Sequence, residues 1–316
     1  MGLVLKPLPE RQRAAKIRRV SRRQPTRLVV VRDAPRLHPL AWIHRAEAQS
    51  IVEELRGAGC DVSVERFGAD SARRLPPGPL LLRLSDPVML DAARALTDAS
   101  IPYIGPSAGA MARCYDKYEA WRIASAAGID CPATALARDA GTLSFPLYIK
   151  PRRGSDSIGV RLLRRGPIPP RWRTDFCIAQ ERIVGAELTI AVLHGRIGVP
   201  LQIFLPEGTP YTFTRKYLWR PARAPVVEAP LAGRVRDAAE RIASALRVDW
   251  AARIDFIHEK DTGRLRFLEC DVAPLVGARS AFATSLAAAG LSRAEQLRVL
   301  LGSTDEVPQR GGMVQR

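Results

Sequence analysis

Trp250-Ala-Ala-Arg-Ile-Asp-Phe-Ile-His258 and Arg264-Leu-Arg-Phe-Leu-Glu-Cys-Asp271 are two alternating runs separated by Glu259-Lys-Asp-Thr-Gly263. The runs have strand periodicity, and the connector carries Asp and Gly where a tight turn needs them, so the stretch predicts a β-hairpin. With the turn centred on Thr262, Asp255 faces Glu269 and Arg253 faces Asp271. Side chains alternate along a strand, which puts all four on one face. Carboxylates directly opposite one another destabilise a sheet unless something neutralises them. A hard divalent cation with oxygen ligands does so, Mg2+ being the usual choice where phosphates also bind and Mn2+ a substitute. The alternative on these residues alone is a solvated polar face on which Arg253 pairs with Asp271.

The chain has 316 residues, 47% of them hydrophobic, with no long apolar run. That describes a globular chain of two or three small domains without a membrane span. Cys60, Cys114, Cys131, Cys177 and Cys270 are scattered and form no CxxC pair, so structural zinc is not expected and a reduced cytoplasm is the expected setting. The net charge of +17 raises the question of nucleic acid. Residues 1–27, however, hold nine lysines and arginines against one acid, Glu10. The excess is thus concentrated in a basic leader expected to be disordered, and nucleic acid is not expected as a partner. A homodimer is compatible with the chain.

From Leu28 to Ile104, strand-like runs (28–32, 62–67, 79–84 and 101–104) alternate with helical patterns, which implies a small parallel sheet. No GxGxxG follows the first strand, so no dinucleotide site is expected there. A helix from about Tyr115 to Ala127 follows, then the strand Phe145-Pro-Leu-Tyr-Ile-Lys150, the loop Gly154-Ser-Asp-Ser-Ile-Gly159 and the strand Val160–Arg164. Strands flank Gly185 and Gly195, and a helix runs from Gly233 to Leu246. Two helices close the chain after the hairpin, the last opened by the capping box Ser292-Arg-Ala-Glu295. The expected division is a leader at 1–27, an N-terminal α/β domain at 28–104, a central lobe at 105–181, a C-terminal lobe with the metal site at 182–302, and a tail at 303–316.

A lysine ending a strand, followed by a Gly/Ser loop and another strand, can hold a polyphosphate through charge and amide donors. Lys150 with Ser155 and Ser157 fits, although a Gly/Ser turn between strands is as often structural; Lys117 and Lys216 are further basic candidates. In order, these features resemble the ATP-grasp enzymes, most closely the D-alanine:D-alanine ligase family, over about residues 100–302. Tyr103-Ile-Gly-Pro-Ser107 with Asp116-Lys117 is similar to that family's entry into its central domain, and Phe145-Pro-Leu-Tyr-Ile-Lys-Pro151 to its nucleotide-binding strand. Gln180-Glu-Arg-Ile-Val-Gly-Ala-Glu-Leu-Thr189 resembles its hinge, and Thr214-Arg-Lys-Tyr217 the loop that closes over phosphates.

The resemblance implies an α/β (α+β) ATP-grasp fold of two lobes behind a small parallel-sheet domain. It implies a carboxylate-amine ligase acting on small molecules through an acylphosphate. ATP would meet Lys117, Lys150, Ser155, Ser157, Gln180, Glu181, Ile183 and Lys216, with Glu187 on the ribose. Asp255, Glu269 and Asp271 would hold Mg2+. Arg253, Ser280, Lys216 and Tyr217 would serve catalysis, Ser280 by binding the acceptor's carboxylate.

The departures concern the substrate. The family's Gly-Gly-x-Ser-x-Glu opening is missing, with Arg36-Leu-His-Pro-Leu-Ala-Trp42 in its place, and the expected ammonium-binding glutamate with it. Its His-Gly loop is replaced by Arg83-Leu-Ser-Asp-Pro87; Asp156, Asp271 and Leu275 stand where it has Ser, Asn and Gly. A carboxylic acid other than free alanine is therefore expected as donor, with anionic groups suited to Arg83. Two other readings remain open: an ATP-binding module without turnover, in which Arg253 and Ser280 would have no use, and a polyanion binder acting through the leader.

Overall fold

The computed structural model describes residues 27–33, 41–68, 74–76, 78–155, 157–206 and 221–302. Lys216, Tyr217, Asp156, the leader before Arg27 and the tail after Gly302 lie outside the described residues.

The chain opens with β1 (Arg27–Asp33), α1 (Ala41–Gly57), β2 (Asp61–Phe67), β3 (Leu80–Arg83) and α2 (Asp86–Asp98). Leu28 to Val31 are all buried, as a parallel strand covered on both faces requires, and β1 lies between its parallel neighbours β2 and β3. The fourth strand expected at 101–104 contracts to a single parallel bridge between Ile104 and Leu81. Pro102 has no amide hydrogen to extend the ladder. Only Ile104 N to Leu80 O (2.7 Å) and Leu82 N to Ile104 O (3.0 Å) join it to β3.

A helix that the sequence pattern does not separate out, α3 (Ala108–Tyr115), precedes α4 (Lys117–Ala126), which is the helix expected from about Tyr115 to Ala127. Asp116 is extended between them and caps α4 by accepting from Glu119 N at 3.2 Å. β4 (Thr134–Leu136), β5 (Leu147–Pro151), β6 (Arg161–Leu163) and β7 (Cys177–Glu181) form an antiparallel sheet in the order β4-β7-β5-β6. This lobe has a small core of its own: Ala140, Leu147, Ile149, Ile168 and Ala179.

The rest comprises β8 (Gly185–Leu193), β9 (Arg196–Ile197), β10 (Leu201–Ile203), β11 (Arg223–Pro225), α5 (Ala229–Ala245), β12 (Ala251–Glu259), β13 (Leu265–Asp271), α6 (Ala281–Ala288) and α7 (Arg293–Leu300). Helix α5 starts earlier than Gly233 because Pro230 suits a first turn. The capping box at Ser292 and Glu295 forms as expected. The six-stranded sheet runs β11-β10-β8-β12-β13, with β9 on β8. One apolar cluster joins Leu28, Val30, Ile51 and Leu55 of the first unit to Leu193, Trp250, Val276, Phe282 and Leu286 of the last. No helix among the described residues is long and apolar enough to cross a membrane.

Candidate active site

The hairpin β12–β13 pairs Arg253 with Asp271 and Asp255 with Glu269, as the alternation predicts. Nearer the turn the register is offset by one: Phe256 pairs with Phe267, Ile257 with Arg266 and His258 with Leu265. Leu268 is the extra residue of a β-bulge. A one-residue slip moves a strand's side chains to its other face. If the register near the turn ran on unbroken, Leu268 would face Asp255, and Glu269 and Asp271 would point away from it. With the bulge, Phe267 and Cys270 both enter the core while the two carboxylates stay on the site's face.

These acids surround Arg253. Its guanidinium donates to Asp255 from Nε at 3.0 Å and from a terminal nitrogen at 3.0 Å. It approaches Asp271 at 3.3 Å and Glu269 at 3.8 Å. Burial works against the Arg253 charge, but Asp255, Asp271 and Glu269 outweigh it and keep the guanidinium protonated well above its ordinary range. Burial raises the Asp271 carboxyl against the pull of Arg253, with Glu269 and Asp255 adding to the rise. Thr189, on β8, donates from its hydroxyl to Asp255 at 2.6 Å and fixes that carboxylate.

Among the described residues no three His, Cys, Asp or Glu side chains converge as a closed metal-ligand set, because the acids are gathered round the guanidinium. The donor chemistry nevertheless suits a hard dication. Three carboxylates share one fixed positive group, and the negative excess is of the kind that Mg2+ offsets through oxygen ligands.

A cleft of about 590 Å³ separates the four-stranded lobe from the larger sheet. It brings together Lys117, Lys150, Ser155, Ser157, Gln180, Glu181, Ile183, Glu187, Asp255 and Glu269. Lys150 Nζ donates to Gln180 Oε1 at 2.6 Å, and Gln180 in turn donates to Thr134 at 3.1 Å. Lys117 donates to the Gly154 carbonyl, and its amide donates to Arg152 O at 2.9 Å. Asp116 pins the loop from the other side, receiving Arg152 at 2.8 Å and Arg153 at 3.2 Å. Burial would raise the Asp116 carboxyl, but the Arg152 hydrogen bond, the Glu119 amide and the Arg153 charge hold it below the usual range. Gly159 has φ +76°, and a Cβ there would meet Pro151 Cγ at 2.8 Å, so glycine is required where the loop folds back. At Gly185 a Cβ would fall on the His258 carbonyl, so glycine also lets β8 approach β12 at the hinge.

A smaller cleft of about 60 Å³ adjoins this one, sharing Lys117, Gly154, Ser155 and Glu269 with it and adding Arg253, Asp271, His44, Asp86, Tyr115 and Leu275.

The profile "D-ala D-ala ligase C-terminus" matches residues 125–301, more than half of the chain. The chain belongs to the D-alanine–D-alanine ligase family. Among its relatives, the D-alanine–D-alanine ligase of Syntrophotalea carbinolica is 31% identical over 222 residues, which span 65% of this chain and 72% of that protein. In fold it is similar to D-alanine–D-alanine ligase from Bacillus anthracis, with a TM-score of 0.73 at 19% identity over 87% of this chain and 96% of that one. It is also similar to the VanG D-Ala:D-Ser ligase from Enterococcus faecalis, with a TM-score of 0.72 at 20% identity over 88% of this chain and 99% of that one. This ligase thus has the ATP-grasp architecture, and its reaction class is ATP-dependent formation of a carbon–nitrogen bond.

Ser280 and Arg83 sit differently from expected, and Glu181 has an added role. Ser280 lines neither cleft; it opens α6, its hydroxyl accepting from Ala283 N at 3.0 Å. The Glu181 side chain accepts from Arg266 at 3.0 Å and from Ala133 N at 3.1 Å, so it braces the hinge, while the residue still lines the large cleft. Arg83 does not face the clefts as an anion receptor: it is 2% exposed and paired with Glu47. Sequence reasoning missed Thr189, Tyr148 and Phe204, the last two of which line the large cleft. Thr189 was discoverable, standing two positions after Glu187 on the same face of its strand.

Proposed function

We propose that this ligase joins a small carboxylic acid to a small amine, that its donor differs from free D-alanine, and that Mg2+ assists. One observation carries the reading: a single cleft gathers Lys117, Lys150, Ser155 and Ser157 opposite Asp255 and Glu269. Lysines and loop amides on one wall with carboxylates on the other is what a nucleotide triphosphate with its cation needs. Apolar Ile178, Val184, Ile203 and Leu268 in the same cleft offer surface for a flat base, with Glu187 available to ribose hydroxyls.

Asp255, Glu269 and Asp271 would hold Mg2+ or Mn2+, which when bound supplies positive charge to phosphate oxygens. The donor carboxylate attacks the γ-phosphorus of ATP, ADP leaves, and an acylphosphate results. Lys150, oriented by Gln180, and Lys117, oriented by Gly154, offset the charge moved in that transfer. The amine then attacks the acyl carbon, the carbon–oxygen bond breaks to release inorganic phosphate, and the proton lost from the nitrogen passes to the departing phosphate. Arg253 supports the oxyanion formed at that carbon. The missing family glutamate and the internal pairing of Arg83 support a donor other than free D-alanine. The acceptor reading of Ser280 draws on its place at a helix N-terminus, where free amides attract carboxylates.

The test is phosphate release from ATP and Mg2+ by the purified full chain, screened against mixed amino acids, hydroxy acids and small peptides. Release confined to one class of acid with one class of amine is expected, and Asp255→Ala or Glu269→Ala should abolish it. Nucleotide binding with no release for any pair would favour a module without turnover. Turnover that survives both substitutions would remove the metal assignment.

A further inference from the structure

We infer that helix α1 is a positioning element for the segment that carries Ser280, acting through Glu47 and Glu54. The inference rests on the reading of that segment as the acceptor's end of the site. Glu47 and Glu54 are two turns apart on one face of α1. Glu47 Oε1 accepts from the amides of Val276 at 2.7 Å and Gly277 at 3.1 Å. The same carboxylate is held by Arg83 through Nε at 3.1 Å and a terminal nitrogen at 3.0 Å. Arg83 donates onward to Pro274 O at 2.8 Å. Glu54 pairs with Arg293 at 2.5 Å, and Arg293 donates to Val276 O at 2.9 Å.

Four main-chain groups within residues 274–277 are therefore fixed by α1 directly or through an arginine that α1 holds. The next main-chain group, Gly277 O, receives Ser280 N at 2.8 Å, and Ser280 opens α6. Leu275, inside the clamped turn, lines the small cleft with Arg253 and Asp271. The turn leaves β13 directly after Asp271, so its conformation sets the spacing between the carboxylate set and the start of α6. A turn made of Pro274, Leu275, Val276 and Gly277 has no side-chain hydrogen bonds with which to fix itself, and the N-terminal unit supplies them. Arg83 is thereby used within the protein, and the donor's charge is left to groups that do line the small cleft.

The experiment compares Glu47→Gln with the parent chain. Gln keeps an oxygen for the two amides but loses the charge that holds Arg83. Hydrogen–deuterium exchange should show lost protection at 274–283 with the 251–271 hairpin unchanged; unaltered exchange in the segment overturns the inference whether or not a substrate pair has been found. With a pair in hand, the KM for the amine should rise about tenfold or more while the KM for ATP stays within twofold. A role in stability alone would lower the melting temperature and leave both constants unmoved, which also overturns it. Glu54→Gln, acting one step further from the turn, should shift the same constant less. If Ser280→Ala leaves the amine KM unchanged, the acceptor reading has failed; if Ser280→Ala raises it and Glu47→Gln does not, this inference has.

Discussion

Arg253 faces three acids, and its removal has two consequences of opposite sign. The cluster becomes more negative, so Arg253→Met should bind Mg2+ more tightly, while the loss of the oxyanion partner should lower kcat by roughly 10²–10³. A Mg2+ titration of ATP turnover reads both, and a parallel loss of Mg2+ affinity would contradict the assignment. Thr189 gives the converse test. Its hydroxyl is 2.6 Å from Asp255, and groups that orient a ligating carboxylate are typically worth 10–100-fold in metal affinity. Thr189→Val should raise the Mg2+ requirement by about that factor with the fold intact by circular dichroism.

Among the elements, the hairpin shows how far sequence patterns reach. The pairs Arg253–Asp271 and Asp255–Glu269 were readable because alternation and a Glu259–Gly263 turn leave few registers. The bulge was not, since it arises from a tertiary demand that Phe267 pack on Phe256 and Cys270 also be buried. Its trace in the sequence is the spacing of three between two core residues on one strand. Deleting Leu268, the unpaired residue, should straighten the ladder and leave Asp255 opposite Glu269 and Arg253 opposite Asp271; Mg2+-dependent turnover should therefore survive the deletion, and its loss would show that the bulge itself shapes the site. The start of α4 was also legible, since Asp116-Lys-Tyr-Glu119 has the spacing of a helix start, whereas α3 before it was not. The partner of Arg83 was not: Glu47 lies 36 residues away on α1, and local pattern carries no such pairing. Most cleft residues were found because each motif contributes its own segment, whereas Ser280's position depends on the path of the turn before it.

For the whole molecule, the distribution of cores matters most. Leu28, Val30 and Ile51 pack with Trp250 and Phe282, so residues 28–104 and the C-terminal sheet share apolar interior. A chain starting at residue 105 would expose that surface, and it should show no cooperative thermal transition, a result read by calorimetry. The four-stranded lobe depends on a separate, smaller core. Lys150, Ser155 and Ser157 travel with it, while Arg253, Asp255 and Glu269 stay with the larger body. The active geometry is therefore a relation between two bodies, a vice with one jaw on each, the smaller jaw resting on the smaller core. A nucleotide gripped by both jaws stabilises their closed arrangement by mass action. Warming the ligand-free protein should release the small lobe before the rest, in two calorimetric steps that merge into one when ATP and Mg2+ bridge them.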